Sequence, residues 1–279
     1  MSLNYRIYDN YDPNALNEIK LGDYISKSLA RYEAMLKYIQ ETRSDLHDGF
    51  VKMLIDKLRV NSPFNEMQNL REFINKTGES YPHLSETGLL EALIPYTIET
   101  LTLSEKFPSF DQKYVVLLVN IEKGENLPHY HAIQTLVDLL GRENGLFFYK
   151  EFVNHINSPP PPRQVESFRA FRNDAVEDMA KSGGFEFIVY DFDESMWIGR
   201  FNKCVVYDSL KAEADREIGY LATCYNGLIG CNKRDWCIRL RRTQTLYSAE
   251  YCDELYWDRH VHDEPEQPSL EFTERMKIE

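Results

Sequence analysis

The hydrophobic period of this chain changes at Gly183-Gly184, and that change constrains the fold more than any other feature of the sequence. Before the two glycines, apolar residues recur at spacings of three and four, for example over residues 29–39, as they do along amphipathic helices. After them, apolar residues alternate with polar or mixed neighbours over residues 185–189, which is typical of a strand. We therefore expect a helical N-terminal half followed by a β-sheet.

The residues after the two glycines predict the order strand, strand, helix, strand, strand. A second strand is expected over residues 196–206, and an apolar stripe over residues 210–228 predicts a helix. Two more strands are expected over residues 236–246 and 251–257, joined by a short turn. The sequence therefore predicts an α+β protein with a C-terminal antiparallel sheet and packed helices.

The first half of the chain carries several helix signals. Residues 50–58 and 89–101 each predict a helix, and another is expected to begin at Leu127-Pro128. The apolar run within residues 110–122 suits a buried strand as well as a helix. Four consecutive prolines at residues 159–162 predict an extended, stiff segment, either between domains or inside one.

These signals divide the chain into three regions. We expect a helical N-terminal region over residues 1–110 and an α+β domain over residues 111–262. Residues 263–279 are mostly polar and acidic, and they predict a C-terminal tail.

Composition narrows the class of protein. The 279 residues include 32 Lys and Arg against 45 Asp and Glu, which gives a formal net charge of −13. This balance argues against nucleic-acid binding, which needs clustered positive charge. No run approaches the roughly 20 apolar residues of a membrane-spanning helix, and the N-terminus does not resemble a secretory signal. We therefore expect a cytoplasmic protein that binds neither nucleic acid nor membrane, with its oligomeric state left open.

The cysteines and histidines indicate neither a metal site nor a disulfide framework. All five cysteines lie between Cys204 and Cys252, and no two form a Cys-x-x-Cys pair. His129-x-His131 lies at a predicted helix start, where the two side chains diverge. His260-x-His262 borders the acidic tail, where a solvated pair is expected. The sequence therefore predicts free thiols, no metal and no other cofactor.

The strand predicted over residues 236–246 carries an arginine on its apolar face. Alternation places Ile238, Leu240 and Arg242 on one side, with Gln244 following on that side. A buried guanidinium is costly unless it is paired. Two alternatives remain open for Arg242: a structural ion pair with a buried carboxylate, or an anchor for a ligand carboxylate.

Three cysteines are candidate nucleophiles, although a single cysteine is more commonly a packing residue. Cys224 is in register with the apolar stripe of its predicted helix, which favours packing. Cys204 lies beside Lys203, and a neighbouring cation predicts a lowered thiol pKa. Cys252 precedes Asp253, and strand alternation sends these two side chains to opposite faces.

A series of short motifs runs through residues 203–257. In order they are Cys204-x-x-Tyr207, Gly219, Cys224, Arg242-Thr243-Gln244-Thr245-Leu246 and Cys252-Asp253. In these motifs the chain resembles the L-2-amino-thiazoline-4-carboxylic acid hydrolase family. Two features depart from the family pattern. Asn226-Gly227 stands where the family carries an acidic residue, and residues 247–250 replace a glycine-containing turn.

The resemblance implies an enzyme that hydrolyses a carbon–nitrogen bond in a small carboxylated cyclic amidine. It implies that Arg242 anchors the substrate carboxylate, with hydrogen-bonding support from Thr243 and Thr245. The implied catalytic residues, with Cys204 as the first choice of nucleophile, are Cys204, Tyr207, Cys224, Cys252 and Asp253.

Two other functions stay open. The departure at Asn226-Gly227 motivates a small-molecule-binding homologue that does not catalyse the reaction. An interaction protein is the other alternative, with the helical half and the prolines of residues 159–162 as docking elements.

Overall fold

The structure is a computed structural model that describes residues 5–59, 68–103, 108–157, 167–233 and 236–277. The chain forms two compact units. The helical unit is Asn14–Phe152, and the sheet unit combines Met1–Pro13 with Val153–Glu279. The prolines at residues 159–162 lie outside the described residues, so their extended conformation stays a prediction.

The described part of the helical unit consists mainly of α-helices. They are α1 (Leu21–Thr42), α2 (His47–Leu58), α3 (Gln68–Gly78), α4 (Pro82–Glu86), α5 (Leu90–Leu101), α6 (Leu118–Leu140) and α7 (Arg142–Ile156), of which α7 continues into the sheet unit. A single 3-10 turn, Ser44–Leu46, connects α1 to α2. The helices predicted over residues 50–58 and 89–101 are confirmed as parts of α2 and α5.

The strands form two separate sheets, one in each unit. They are β1 (Arg6–Asp9), β2 (Leu16–Lys20), β3 (Lys113–Leu117), β4 (Phe185–Asp193), β5 (Met196–Cys204), β6 (Ile238–Arg241) and β7 (Cys252–Asp258). In the helical unit β2 pairs antiparallel with β3. In the sheet unit a five-stranded antiparallel sheet has the order β1-β4-β5-β7-β6. The predicted α+β class is therefore confirmed.

Five helices belong entirely to the described part of the sheet unit. They are α8 (Phe168–Ser182), α9 (Val205–Leu210), α10 (Arg216–Tyr220), α11 (Asn226–Lys233) and α12 (Leu270–Arg275). Across both units, no described helix combines the length and apolar character that a membrane crossing requires.

The region around residues 110–122 contains both of the predicted alternatives in succession, because strand β3 leads directly into α6. The helix start predicted at Leu127-Pro128 is wrong, since α6 begins at Leu118. A proline inside a helix removes one backbone N–H. Here Pro128 lies in a buried segment of α6, where tertiary packing overrides its low helix propensity.

The chain does not divide at the predicted boundary near residue 110, because one unit runs from Asn14 to Phe152. Strand β3 pairs with β2 over its whole length, from Lys113 opposite Lys20 to Leu117 opposite Leu16. This long-range pairing places the residues of β3 in the same unit as α1. Period alone does not reveal such a pairing, because each strand has only five residues.

The helix predicted over residues 210–228 is divided into shorter pieces. Helix α9 ends at Leu210, and a new helix starts at Asp215, whose Oδ1 accepts hydrogen bonds of 3.1 Å from the backbone N–H groups of Glu217 and Ile218. This is the bonding of an N-cap residue. A widened π-type turn, Leu221–Tyr225, then joins α10 to α11.

The strand predicted through residue 246 ends earlier, at Arg241. Two of the backbone N–H groups that follow, those of Thr243 and Gln244, donate to the Asp253 carboxylate at 2.7 and 2.9 Å instead of to a neighbouring strand. A side chain thus takes the place of the sheet partner and forms a loop out of the residues that follow β6.

The predicted acidic tail is part of the packed structure as far as residue 277. Thr273, within α12, and Met276, just after it, have no exposed surface. Met276 packs in an apolar cluster with Ile188, Ile198 and Leu255 on one face of the five-stranded sheet. The tail prediction is wrong for this segment, because its few apolar residues are spaced to cover the sheet.

Candidate functional site

A cavity of about 430 Å³ lies beside the end of β6 in the sheet unit. Residues of α10, among them Tyr220, form one wall, and residues 242–245 form another. All three predicted substrate-binding residues, Arg242, Thr243 and Thr245, line this cavity. Of the described residues that line it, none is one of the five predicted catalytic residues.

Arg242 forms a buried ion pair with Glu254 at this cavity. The two side chains are 9% and 13% exposed, and Glu254 Oε2 accepts a hydrogen bond of 2.6 Å from the Tyr256 hydroxyl. Burial lowers the pKa of Arg242, but the Glu254 carboxylate more than offsets this and holds that pKa above its ordinary value. The structural ion pair is therefore present, on a charged guanidinium that also lines a cavity.

Sequence reasoning missed Glu254, which lies on the same face of β7 as Cys252 and Tyr256. The register of β6 on β7 sets Leu240 opposite Tyr256, and Arg242 follows Leu240 by two residues, which brings it to Glu254. One signal in the sequence could have identified Glu254. It is a carboxylate two residues after Cys252, in the strand predicted over residues 251–257.

Asp253 lies on the opposite face of β7 and has no exposed surface. Its Oδ1 accepts the backbone N–H groups of Thr243 and Gln244, and its Oδ2 accepts the Thr243 hydroxyl and, at 3.2 Å, the Gln267 amide. Through these bonds the buried Asp253 carboxylate orients the loop that follows β6 and lines the cavity. The Thr243 hydroxyl is turned toward Asp253 by the same bonds.

The expectation that Lys203 lowers the pKa of Cys204 is wrong. Lys203 Nζ pairs with Glu186 Oε2 at 2.5 Å, so its charge is already compensated. Burial raises the pKa of the Cys204 thiol far above its ordinary value, and the nearby thiols of Cys224 and Cys252 raise it further. Backbone N–H groups at the start of α9 oppose this effect without reversing it.

The other two candidate cysteines also favour the neutral thiol. Burial raises the pKa of Cys252 to about 12, and its sulfur accepts the backbone N–H of Leu246 at 3.1 Å. Burial likewise raises the pKa of Cys224, although Arg242 opposes the shift. All five cysteines of the chain are free thiols.

Tyr207 does not line the cavity, but it contacts a residue that does. Its side chain packs edge-on against Tyr247, a cavity residue, with ring centroids 5.0 Å apart. Tyr247 also packs against Gly219, where a β-carbon would lie 2.6 Å from a ring carbon. The glycine of the sequence motif thus has a physical reason, since only a residue without a side chain admits Tyr247 here.

The two side chains of each His-x-His segment lie in different surroundings: His129 and His131 contact different tyrosines, and His262 is half-buried while His260 is exposed. His129 and His131 lie in the middle of α6, not at a helix start, and their Nε2 atoms contact Tyr149 at 2.6 Å and Tyr96 at 2.9 Å. His262 Nε2 lies 2.8 Å from the Ser195 hydroxyl. Within the part of the chain that the structure describes, no group of three or more His, Cys, Asp or Glu side chains is arranged to hold a metal ion.

No protein-family model, curated protein or solved structure matches this chain. The resemblance of residues 203–257 to the thiazoline carboxylate hydrolases therefore stays a prediction from the motifs themselves.

Proposed function

We propose that the protein is a hydrolase-like enzyme that binds a small carboxylated cyclic amidine in the Arg242 cavity and opens it at a carbon–nitrogen bond. The observation that carries this proposal is the position of Arg242, a charged and largely buried guanidinium in the wall of a 430 Å³ cavity. Cavities of a few hundred Å³ with a few fixed polar groups are typical small-molecule sites.

The charges around the cavity suit a ligand that carries both signs. The exposed Arg216 supplies positive charge for a carboxylate, whereas Arg242 supplies N–H donors on a guanidinium whose charge is already balanced by Glu254. The carboxylate of Glu217 lies on the same wall as Arg216. A 2-amino-thiazoline-4-carboxylate has a carboxylate and a basic amidine group, so each end finds an opposite charge.

Water is the nucleophile that we favour. The pKa values of Cys204, Cys224 and Cys252 are all raised, which leaves each thiol protonated near neutral pH. In the proposed reaction, the water oxygen bonds to the amidine carbon and the bond from this carbon to the ring nitrogen breaks. Both water protons end on that nitrogen, which leaves as a primary amine, and the carbon becomes a carbonyl.

A non-catalytic binding protein is the second candidate, and Asn226 favours it. Asn226 replaces the acidic residue of the family pattern, and its Oδ1 accepts a hydrogen bond of 2.8 Å from Asn157 Nδ2. A residue held in this way by a neighbouring amide supplies no carboxylate for proton transfer.

The deciding experiment measures binding and ring opening of L-2-amino-thiazoline-4-carboxylate with the same purified protein. Calorimetry reports binding, and NMR of the product reports ring opening. Arg242→Lys keeps a cation beside Glu254 but loses the planar fork, and we expect it to weaken binding by about tenfold. Arg43→Lys, which makes the same exchange in an exposed ion pair with Asp45, is the matched control.

Three results separate the possibilities. Ring opening by the wild-type protein that falls with Arg242→Lys supports the enzyme. Binding without ring opening leaves only the second candidate. If the wild-type protein does not bind the compound, or if Arg242→Lys binds as tightly as Arg43→Lys, the proposed role of Arg242 is wrong.

A further inference from the structure

We propose that the aromatic ring of Tyr220 is the surface on which the amidine of the ligand lies, while the carboxylate of the same ligand points toward Arg242. This inference rests on the proposed function, because it concerns the same cavity and the other end of the same ligand. It concerns a residue that none of the sequence motifs includes.

Tyr220 combines a position in the cavity wall with an accessible side chain. It is half-buried, whereas Tyr247, the other tyrosine among the described lining residues, is only 7% exposed. Most of the Tyr247 ring is therefore out of reach of a ligand. Tyr220 offers the larger accessible aromatic surface in this cavity.

The hydroxyl end of the Tyr220 side chain lies near Arg242. Burial raises the pKa of Tyr220, and the neighbouring Arg242 guanidinium opposes this rise. The ring therefore spans the wall between α10, which carries the backbone of Tyr220, and the guanidinium. A small ligand whose carboxylate binds Arg242 consequently has its own ring beside Tyr220.

Two other tyrosines hold the Tyr220 ring in place. The π-type turn Leu221–Tyr225 brings Tyr225 back beside Tyr220, with ring centroids 6.2 Å apart. The Tyr247 ring packs edge-on against Tyr220 at 6.5 Å, with an angle of 71° between the two planes. Aromatic pairs attract one another at such distances and angles. A ring that is already held loses little side-chain entropy when a ligand binds to it.

A carboxylate lies on the same face of α10 as the Tyr220 ring. Glu217 precedes Tyr220 by three residues, a spacing that places two side chains on one face of a helix, and both line the cavity. A protonated amidine is planar and cationic, so the face of an aromatic ring and a carboxylate both attract it. Tyr220 and Glu217 thus supply the amidine end of the site, and Arg242 supplies the carboxylate end.

The test compares two ligands and two variants by calorimetry. The ligands are L-2-amino-thiazoline-4-carboxylate and tetrahydrothiophene-2-carboxylate, which keeps a five-membered ring and the acid but has no amidine. We expect Tyr220→Leu, which removes the aromatic ring, to weaken binding of the thiazoline by about fivefold or more, and binding of the analogue by less than about twofold. Tyr220→Phe keeps the ring and should bind the thiazoline within about twofold of the wild type.

Tyr190→Leu is the matched control, since the half-buried Tyr190 packs against Phe272, with ring centroids 5.2 Å apart, in the apolar cluster that contains Met276. Thermal unfolding shows that each variant is folded before its binding is measured. Unchanged thiazoline binding by Tyr220→Leu, equal weakening by Tyr220→Leu and Tyr220→Phe, or equal weakening of both ligands overturns the inference. If Arg242→Lys still weakens binding in that case, the proposed function stands. Absence of binding by the wild type removes both.

Discussion

Asp253 holds Thr243 by two hydrogen bonds, one to each oxygen of its carboxylate. The Thr243 backbone N–H donates to Oδ1 at 2.7 Å, and the Thr243 hydroxyl donates to Oδ2. Asp253 lies on the face of β7 turned away from Arg242, so it acts on the cavity through the backbone of the loop. Both faces of β7 therefore contribute to the site. Glu254 pairs with Arg242 on one face, and Asp253 holds the loop that lines the cavity from the other.

Replacement of Asp253 should loosen this loop. Asp253→Ala leaves the N–H groups of Thr243 and Gln244 without their acceptor, and we expect a loss of about 2–4 kcal/mol in the free energy of unfolding. Asp253→Asn keeps one acceptor oxygen and should lose less. Urea unfolding measures both variants, with the exposed Asp263→Asn as control. Equal stability of Asp253→Ala and the control would show that the loop does not depend on Asp253.

Neutralising Glu254 should separate stability from ligand binding. Glu254→Gln leaves the largely buried Arg242 without a counter-charge, which should lower the free energy of unfolding by about 3–5 kcal/mol. The same change frees the guanidinium, so a ligand carboxylate should bind more tightly. Calorimetry with L-2-amino-thiazoline-4-carboxylate, alongside the exposed Glu271→Gln, measures the second effect. Weaker binding by Glu254→Gln than by the control contradicts the assignment of Arg242 as the anchor.

Strand alternation is enough to predict the inward face of Arg242, because Ile238 and Leu240 on the same strand are apolar and buried. Alternation does not predict its partner, since Glu254 reaches Arg242 only through the register of β6 on β7. Register depends on contacts between distant parts of the chain, and one sequence carries little information about it.

Local sequence also does not predict which contacts support the site. The pattern of Cys252-Asp253 places the two side chains on opposite faces, and the structure agrees. The pattern does not show that Asp253 accepts hydrogen bonds from the backbone N–H groups of a loop ten residues away. These bonds replace sheet pairing after Arg241, where β6 ends. Similarly, the charge of Lys203 predicts a reactive Cys204, but burial and the Lys203–Glu186 pair decide the pKa.

The three cysteines near the cavity should react slowly with alkylating reagents. Burial raises the pKa of Cys252 to about 12, and the pKa values of Cys204 and Cys224 are raised as well, so little thiolate exists near neutral pH. We expect iodoacetamide at pH 7.5 to modify these sites at least about tenfold more slowly than an unperturbed peptide thiol. Mass spectrometry after peptide digestion gives each rate, with urea-unfolded protein as the control. Rapid modification of Cys204 in the folded protein would restore it as the candidate nucleophile.

The partly buried carboxyl of Glu122, in α6 of the helical unit, should make stability depend on pH. Burial, with a contribution from Glu125, raises the pKa of Glu122 from its ordinary value of 4.5 to about 7. The folded protein therefore holds this proton more tightly than the unfolded chain does. The resulting stabilisation is complete below about pH 4.5 and is lost as the pH rises through about 7.

Glu122→Gln removes this titration because the amide stays neutral at every pH. We expect the variant to unfold with about the same free energy as the wild type near pH 4.5, and to be more stable by about 1–3 kcal/mol at pH 8. Urea unfolding across this range measures the difference, and the exposed Glu86→Gln serves as control. A stability difference between Glu122→Gln and wild type that stays constant from pH 4.5 to 8 would show that Glu122 ionises in the folded protein as it does in the unfolded chain.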